Sequence, residues 1–145
     1  MSYIGGTLSV VSGATSPEDA STYGAKSFTE IGNVISAGEI GDTHEDLAAT
    51  LLKTGRTKHS NGAKDGGEVN VMIDGEDFTD AGMVIIEAAN GGSVEHSFEL
   101  AGPTQTWYFY GLVRNLRTLE QDANTKAGIQ FTIAVNSATV RTATV

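Results

Sequence analysis

The stretch EVNVMID at positions 68–74 alternates between side chains suited to a core and side chains suited to water. Successive side chains of a β-strand point to opposite faces, so Val69, Val71 and Ile73 share one face. The pattern predicts a strand with one buried face. The stretches 93–100 and 128–135 alternate in the same way, and the aromatic-rich run 106–116 is typical of a central strand. The chain is therefore predicted to be mainly β.

One flanking helix is predicted after the first of these strands, over about 77–89. Asp77 can cap its N-terminus, and apolar side chains recur at helical spacing along one face. The Asn-Gly-Gly sequence at 90–92 ends it, because glycine readily adopts the left-handed conformation found after helices. A shorter helical turn is predicted nearer the N-terminus, where Ser16 can act as the cap and Gly24 ends the turn.

The first third of the chain carries weaker signals. We expect an N-terminal arm over 1–15, either an edge strand or a segment ordered only by a neighbour. A strand is predicted over 28–36, in which Gly32 is consistent with a bulge. The next segment, 47–53, contains good helix formers, and its pattern alone leaves helix and strand open. A chain of 145 residues is long enough for one core and is predicted to be a single domain, 1–145.

A long loop is predicted over 54–67, which lacks apolar periodicity and contains strong turn signals. Its composition predicts disorder in a monomer and order in an assembly. In or beside it lie four of the nine basic residues, namely Lys53, Arg56, Lys58 and Lys64. Such a segment can dock on an acidic surface of a second subunit or remain a solvated loop. The residues alone leave both interpretations open.

The formal net charge of −9 argues against a conventional nucleic-acid-binding surface, which neutralises phosphates with Lys and Arg. The chain has no cysteine, which excludes disulfides and thiolate chemistry. No apolar run approaches the ~20 residues that span a bilayer. The N-terminal residues do not resemble a signal peptide, so we expect the protein to accumulate in the cytoplasm of the cell that makes it.

No pattern of catalytic or metal-binding residues is present. The histidines His44, His59 and His96 have no metal-ligand spacing, and the acidic run 74–80 places its glycine second rather than sixth, unlike a calcium loop. Nucleophile-elbow and phosphate-loop motifs are absent as well. We therefore expect neither an enzyme nor a cofactor.

The order of these segments resembles the major tail tube proteins of long-tailed bacteriophages and phage-like gene transfer agents. The similarity runs from about Phe28 to Val135. It rests on the opening Ile31-Gly32-Asn33-Val34 strand, the long loop, the 68–74 strand that leads into a short helix, and the strands 108–117 and 131–140. The resemblance implies a β-sandwich or split barrel with one flanking helix. It also implies hexameric rings that stack into a tube around a channel for DNA, with the loop 54–67 bridging subunits.

The resemblance further implies two sets of site residues. Docking of the basic segment on acids of an adjacent subunit would use Lys53, Arg56, Lys58, Lys64, Asp42, Glu45, Asp74, Glu76 and Asp77. The polar strand faces would line a net negative channel through Glu68, Asn70, Gln130, Thr132 and Asn136. Partners would be further copies of the chain and the tape-measure, baseplate-side and terminator proteins of a virion or phage-like tail. A contractile-tail tube, a secretion tube, a terminator and, more distantly, a ligand-binding β-sandwich remain alternatives.

Overall fold

The computed structural model describes residues 6–119, 123–124 and 127–143, and this part of the chain is mainly β, as the alternation predicts. Its strands are β1 (Thr7–Ser12), β2 (Thr29–Ile31), β3 (Val34–Ala37), β4 (Thr43–Thr50), β5 (Thr57–Asp65), β6 (Glu68–Asp74), β7 (His96–Ala101), β8 (Gln105–Thr118), β9 (Gly128–Val135) and β10 (Val140–Ala143). Its helices are α1 (Ala20–Gly24) and α2 (Ala81–Ala89).

The main sheet curls into a split barrel. Its antiparallel strands follow the order β2-β1-β7-β8-β9-β6-β3, and β10 pairs with β8 off this path. In a flat sheet the first and last of these seven strands would lie about 29 Å apart. Only Gly32 and Asn33 join β2 to β3, however, so Ile31 and Val34 are at most about 11 Å apart. The sheet must therefore bend until its two ends meet, which confirms the barrel-like fold expected from the resemblance.

The core fills the inside of this curled sheet. Val69, Val71 and Ile73 of β6 are buried, as their alternation predicts. The rings of Phe98 and Phe109, on neighbouring strands, stack with centroids 5.6 Å apart. Helix α2 closes the core with Met83, Ile86 and Ala89. Glycine is required at position 82, because a Cβ there would lie 2.6 Å from the Glu30 carbonyl oxygen of β2.

Helix α2 is shorter than predicted. Its N-cap is Asp80 rather than Asp77, and the Asp80 carboxylate accepts hydrogen bonds from the backbone N–H groups of Met83 and Gly32, each at 3.2 Å. The second bond ties the helix to the β2–β3 turn. Asp77 instead accepts the backbone N–H of Thr79 at 3.0 Å in a turn before the helix. Two carboxylates suited to capping occur close together, and only the fold selects between them.

The N-terminal region also departs from the prediction. Residues 7–12 of the expected arm form strand β1, which pairs with β2 on one side and with β7 on the other. Residues 1–5 lie outside the described residues. A second helix, α1, is capped by Asp19 rather than Ser16. It places Tyr23 on the outer sheet face, where the ring stacks on Tyr108 at 5.1 Å.

Two predicted segments divide differently from the expected boundaries. The strand predicted over 28–36 is interrupted by a turn, in which Asn33 has a φ of 60°, and becomes β2 and β3. The prediction of a loop over 54–67 is wrong for most of its length, because residues 57–65 form strand β5, which pairs with β4 in a separate two-stranded sheet. Backbone hydrogen bonds between β4 and β5 order a segment that has no apolar periodicity.

Candidate assembly surfaces

The β4–β5 pair is the projecting hairpin, residues 43–65. Its strands pair from Thr43 with Asp65 to Thr50 with Thr57, and every strand residue except Gly62 is exposed. An isolated two-stranded hairpin is at best marginally stable in water. Within the described chain, the eight-residue and nine-residue strands of this hairpin have neither face covered.

The two faces of the projecting hairpin differ in chemistry. On one face, the Asp46 carboxylate lies 3.0 Å from Nδ1 of His59, and the hydroxyls of Thr50 and Thr57 are 3.0 Å apart. Leu47 lies on the opposite face and is 51% exposed. The turn at the tip adds two more exposed leucines, Leu51 and Leu52. One side of the hairpin is thus polar, whereas the other side and the tip combine exposed leucines with Ser60 and basic side chains.

The predicted basic residues all lie on this hairpin. Lys53 and Arg56 are in the tip turn, Lys58 follows on β5, and Lys64 lies near the base opposite His44. Within the described part of the chain, none of the four forms an ion pair. Three of the four cations therefore cluster at the end of the hairpin that is farthest from the barrel.

The predicted acidic partners fall into two groups. Asp42 and Glu45 lie at the base of the same hairpin, so the hairpin is acidic at its base and basic at its tip. Asp74, Glu76 and Asp77 lie at the far end of β6, about 20 Å from Glu68 and the hairpin base. The hydroxyl and backbone N–H of Thr79 lower the pKa of Asp77, so it is charged at neutral pH. The two ends of the barrel thus both carry acids.

Four of the predicted channel residues share one patch, the polar sheet face, on the side of β6 and β9 away from the core. Glu68 and Asn70 lie on β6 and Gln130 and Thr132 on β9. The Thr132 hydroxyl donates to Oδ1 of Asn70 at 2.9 Å. Asn136 lies past the end of β9 and donates to Glu95 at 3.3 Å. Asn136 also lines a surface pocket together with Lys64 and Asp65, so it borders this face at the hairpin base.

Two arginines on this face are not among the residues predicted from the sequence to line the channel. Arg114 pairs with Thr132 and Arg117 with Gln130, so both share the polar sheet face. Nη1 of Arg114 lies 3.8 Å from Oε1 of Glu68, and both side chains are about half exposed. The register shift between the two arginines breaks the alternation that would have revealed them. In one subunit this face thus carries the guanidinium groups of Arg114 and Arg117 and the carboxylates of Glu68 and Asp74, and the net negative channel wall stays a prediction.

Neither a membrane-spanning helix nor a metal site emerges from the described ranges. None of the helices there has the length and apolar character to cross a bilayer. No three His, Asp or Glu side chains in those ranges are grouped so that they could hold a metal ion. His96 is buried, and its Nδ1 lies 3.1 Å from the Val94 carbonyl oxygen, as expected for a satisfied core histidine.

Comparison with known proteins finds a similarity of fold alone. No protein-family model and no curated protein sequence matches the chain. Among solved structures, it is similar to a chain of the anti-feeding prophage (AFP) baseplate, six-fold symmetrised, with a TM-score of 0.64 and 9% identity over 94% of this chain and 91% of that one. It is also similar to a chain of the PVC sheath/tube terminator of an extracellular contractile injection system, with a TM-score of 0.62 and 12% identity over 93% and 92%.

A third similar chain comes from the PVC sheath–tube complex in its extended state, with a TM-score of 0.58 and 13% identity over 94% of this chain and 88% of that one. All three structures are parts of contractile injection systems or phage-like particles. Each alignment covers nearly the whole of both chains, so the similarity extends over the fold as a whole. Identities this low establish the fold and leave the function to be argued from the surfaces.

Proposed function

We propose that this protein is a structural subunit of the tube of a phage-like tail or injection particle. The observation that carries the proposal is the projecting hairpin, whose strands are exposed almost throughout and whose charged tip has no ion-pair partner in the described chain. A free-standing monomer gains little from such a segment, whereas a subunit that must hold a neighbour needs one. The fold shared with chains of sheath–tube and baseplate structures supports this role.

The proposed assembly is a set of hexameric rings that stack into a tube. Among the described strands, β3 pairs on one side only, with β6, and so offers a free edge. Joining such edges around a ring satisfies their backbone hydrogen-bonding groups. A contact between unlike surfaces of identical subunits can then repeat along an axis. Tape-measure, baseplate-side and terminator proteins are the expected further partners.

We propose that the polar sheet face lines the channel. On this face Glu68 and Asn70 are exposed and Gln130 is half-buried, whereas Thr132 is buried and the apolar Met72 lies beside them. The exposed polar side chains suit a water-filled passage. Arg114 lies beside Glu68 and Arg117 is the other arginine of this face, and two arginines do not form a continuous basic stripe that would retain DNA. DNA or another cargo would therefore pass without tight binding. The role is structural, with no catalytic group assigned, in a tail or particle built from subunits made in the host cytoplasm.

A terminator or baseplate-proximal ring is the second candidate. It is favoured by the similarity to chains from a sheath/tube terminator structure and from a baseplate structure. Such a protein would form one ring and stop, because only one end of the ring would accept a further copy.

Negative-stain electron microscopy of the concentrated protein separates these functions. Long tubes of uniform width are expected for a tube subunit, and isolated rings would favour the terminator. Protein that stays monomeric at every concentration and salt condition would overturn both.

A further inference from the structure

An apolar pocket of about 420 Å³ opens where the barrel is split between β1 and β3. Its walls include Leu8, Ile35, Ile40, Leu100 and Trp107. Ile35 at its mouth is 61% exposed. A concave apolar surface of this size suits a buried side-chain cluster or ligand. It lies apart from the polar sheet face and has no part in the channel proposed above.

The same chain carries an unpartnered apolar projection. Leu52 at the tip of the projecting hairpin is fully exposed, and Leu51 beside it is partly exposed. Two adjacent exposed leucines form a small apolar surface, and covering it with a partner would remove that surface from water. The chain thus carries both an exposed apolar tip and an apolar pocket.

The tip of the projecting hairpin cannot reach the apolar pocket of its own subunit. Ile40 lines the pocket, and β4 begins three residues later at Thr43. The hairpin therefore starts beside the pocket and carries its tip away from it. An eight-residue strand spans about 26 Å, and its paired partner keeps it extended. The tip can reach a pocket only on another copy.

We propose that the Leu51–Leu52 tip of one subunit occupies the β1–β3 pocket of a second copy. This deepens the proposed function by naming both sides of a subunit contact. Charge supports the pairing, because Lys53 and Arg56 flank the leucines. Glu39 lies between two pocket-lining residues, and Asp42 lies just beyond them. Since each copy has one tip and one pocket, the contact is head-to-tail and repeats around a ring or along a stack.

Engineered disulfides test the contact directly, because the natural chain has no cysteine. Leu52→Cys combined with Ile35→Cys should give covalent dimers and longer ladders on non-reducing gels after mild oxidation of assembled protein. The matched control combines Leu52→Cys with Val94→Cys, since Val94 is 59% exposed and precedes the end of β7 that is remote from the pocket. Equal ladders from both pairs, or none from the first, would overturn the proposal.

Trp107 gives an independent readout, because it is the single tryptophan and lines the pocket. Its emission should shift to shorter wavelength as the protein assembles, and Leu52→Asp should abolish that shift. Residues 1–5, which precede the pocket residue Gly6, are the competing occupant. Emission that is independent of protein concentration and changes only when residues 1–5 are removed would assign the pocket to them and overturn the proposal.

Failure of this contact is distinguishable from failure of the tube function. Tubes in micrographs without the Leu52–Ile35 cross-link would leave the function standing and reject the tip-in-pocket contact. Cross-linked dimers and ladders without rings or tubes would support the contact and reject the tube. The absence of both cross-links and assemblies would reject both.

Discussion

Replacing Leu52 by Ala should weaken assembly without weakening the fold. Leu52 is fully exposed in the monomer, so its truncation should change the free energy of unfolding by less than about 0.5 kcal/mol. If the tip is buried at a subunit contact, the lost carbon atoms remove about 2 kcal/mol of apolar burial from each contact. At about 1.4 kcal/mol for each factor of ten, the critical concentration for assembly should rise roughly 30-fold.

The measurement is the assembled fraction in sedimentation across a concentration series, with thermal unfolding of dilute protein in parallel. Val94→Ala is the control, because it also trims an exposed aliphatic side chain and should shift the critical concentration less than about twofold. A Leu52→Ala protein that assembles at the natural concentration would refute the burial of the tip. A fall in its melting temperature of several degrees would show that Leu52 supports the fold instead.

Three further predictions follow from named contacts. Gly82→Ala should destabilise the monomer by about 1–3 kcal/mol in chemical denaturation, because its Cβ would meet the β2 backbone, whereas Gly24→Ala, with open space around it, should not. Burial raises the pKa of Tyr23, so the folded state holds the phenolic proton more tightly than the unfolded state does. The free energy of unfolding should therefore fall as pH rises above about 10. Melting curves recorded across this pH range should show a smaller fall for Tyr23→Phe. Tube growth followed by light scattering should slow at about 1 M salt and stop when Arg56 and Lys58 are both replaced by Glu, and growth indifferent to both changes would leave these cations as solvated residues.

The local sequence pattern could not predict that the second half of the projecting hairpin is a strand. Residues 57–65 contain no large apolar side chain, so nothing in their order separates strand from loop. Their strand state comes from pairing with β4 and from cross-strand contacts such as His59 with Asp46. The segment 47–53 left helix and strand open for a different reason, because it contains good helix formers and no core contact selects between the two states.

The residue types of the candidate assembly surfaces were predictable from the sequence, whereas their positions in space were predictable only in part. The cluster of cations ending at Lys64 was evident from the sequence, and all of its members lie on one hairpin. The predicted channel residues Asn70 and Thr132 are indeed neighbours, because both follow simple alternation. Arg114 and Arg117 were missed, since a register shift cannot be read from one strand alone.

By itself, the sequence determined which side chains of β6 are buried, which apolar side chains of β9 join the core, and that a helix follows β6. These features depend on period-two or helical spacing within a few residues, which acts before any distant contact forms. Tertiary structure decided what distant segments make together: the two-residue turn that closes the sheet, the choice of Asp80 as the cap, and the pocket between β1 and β3. Each requires residues far apart in the chain to meet in one register, and the free energy that selects that register comes from the packed core as a whole.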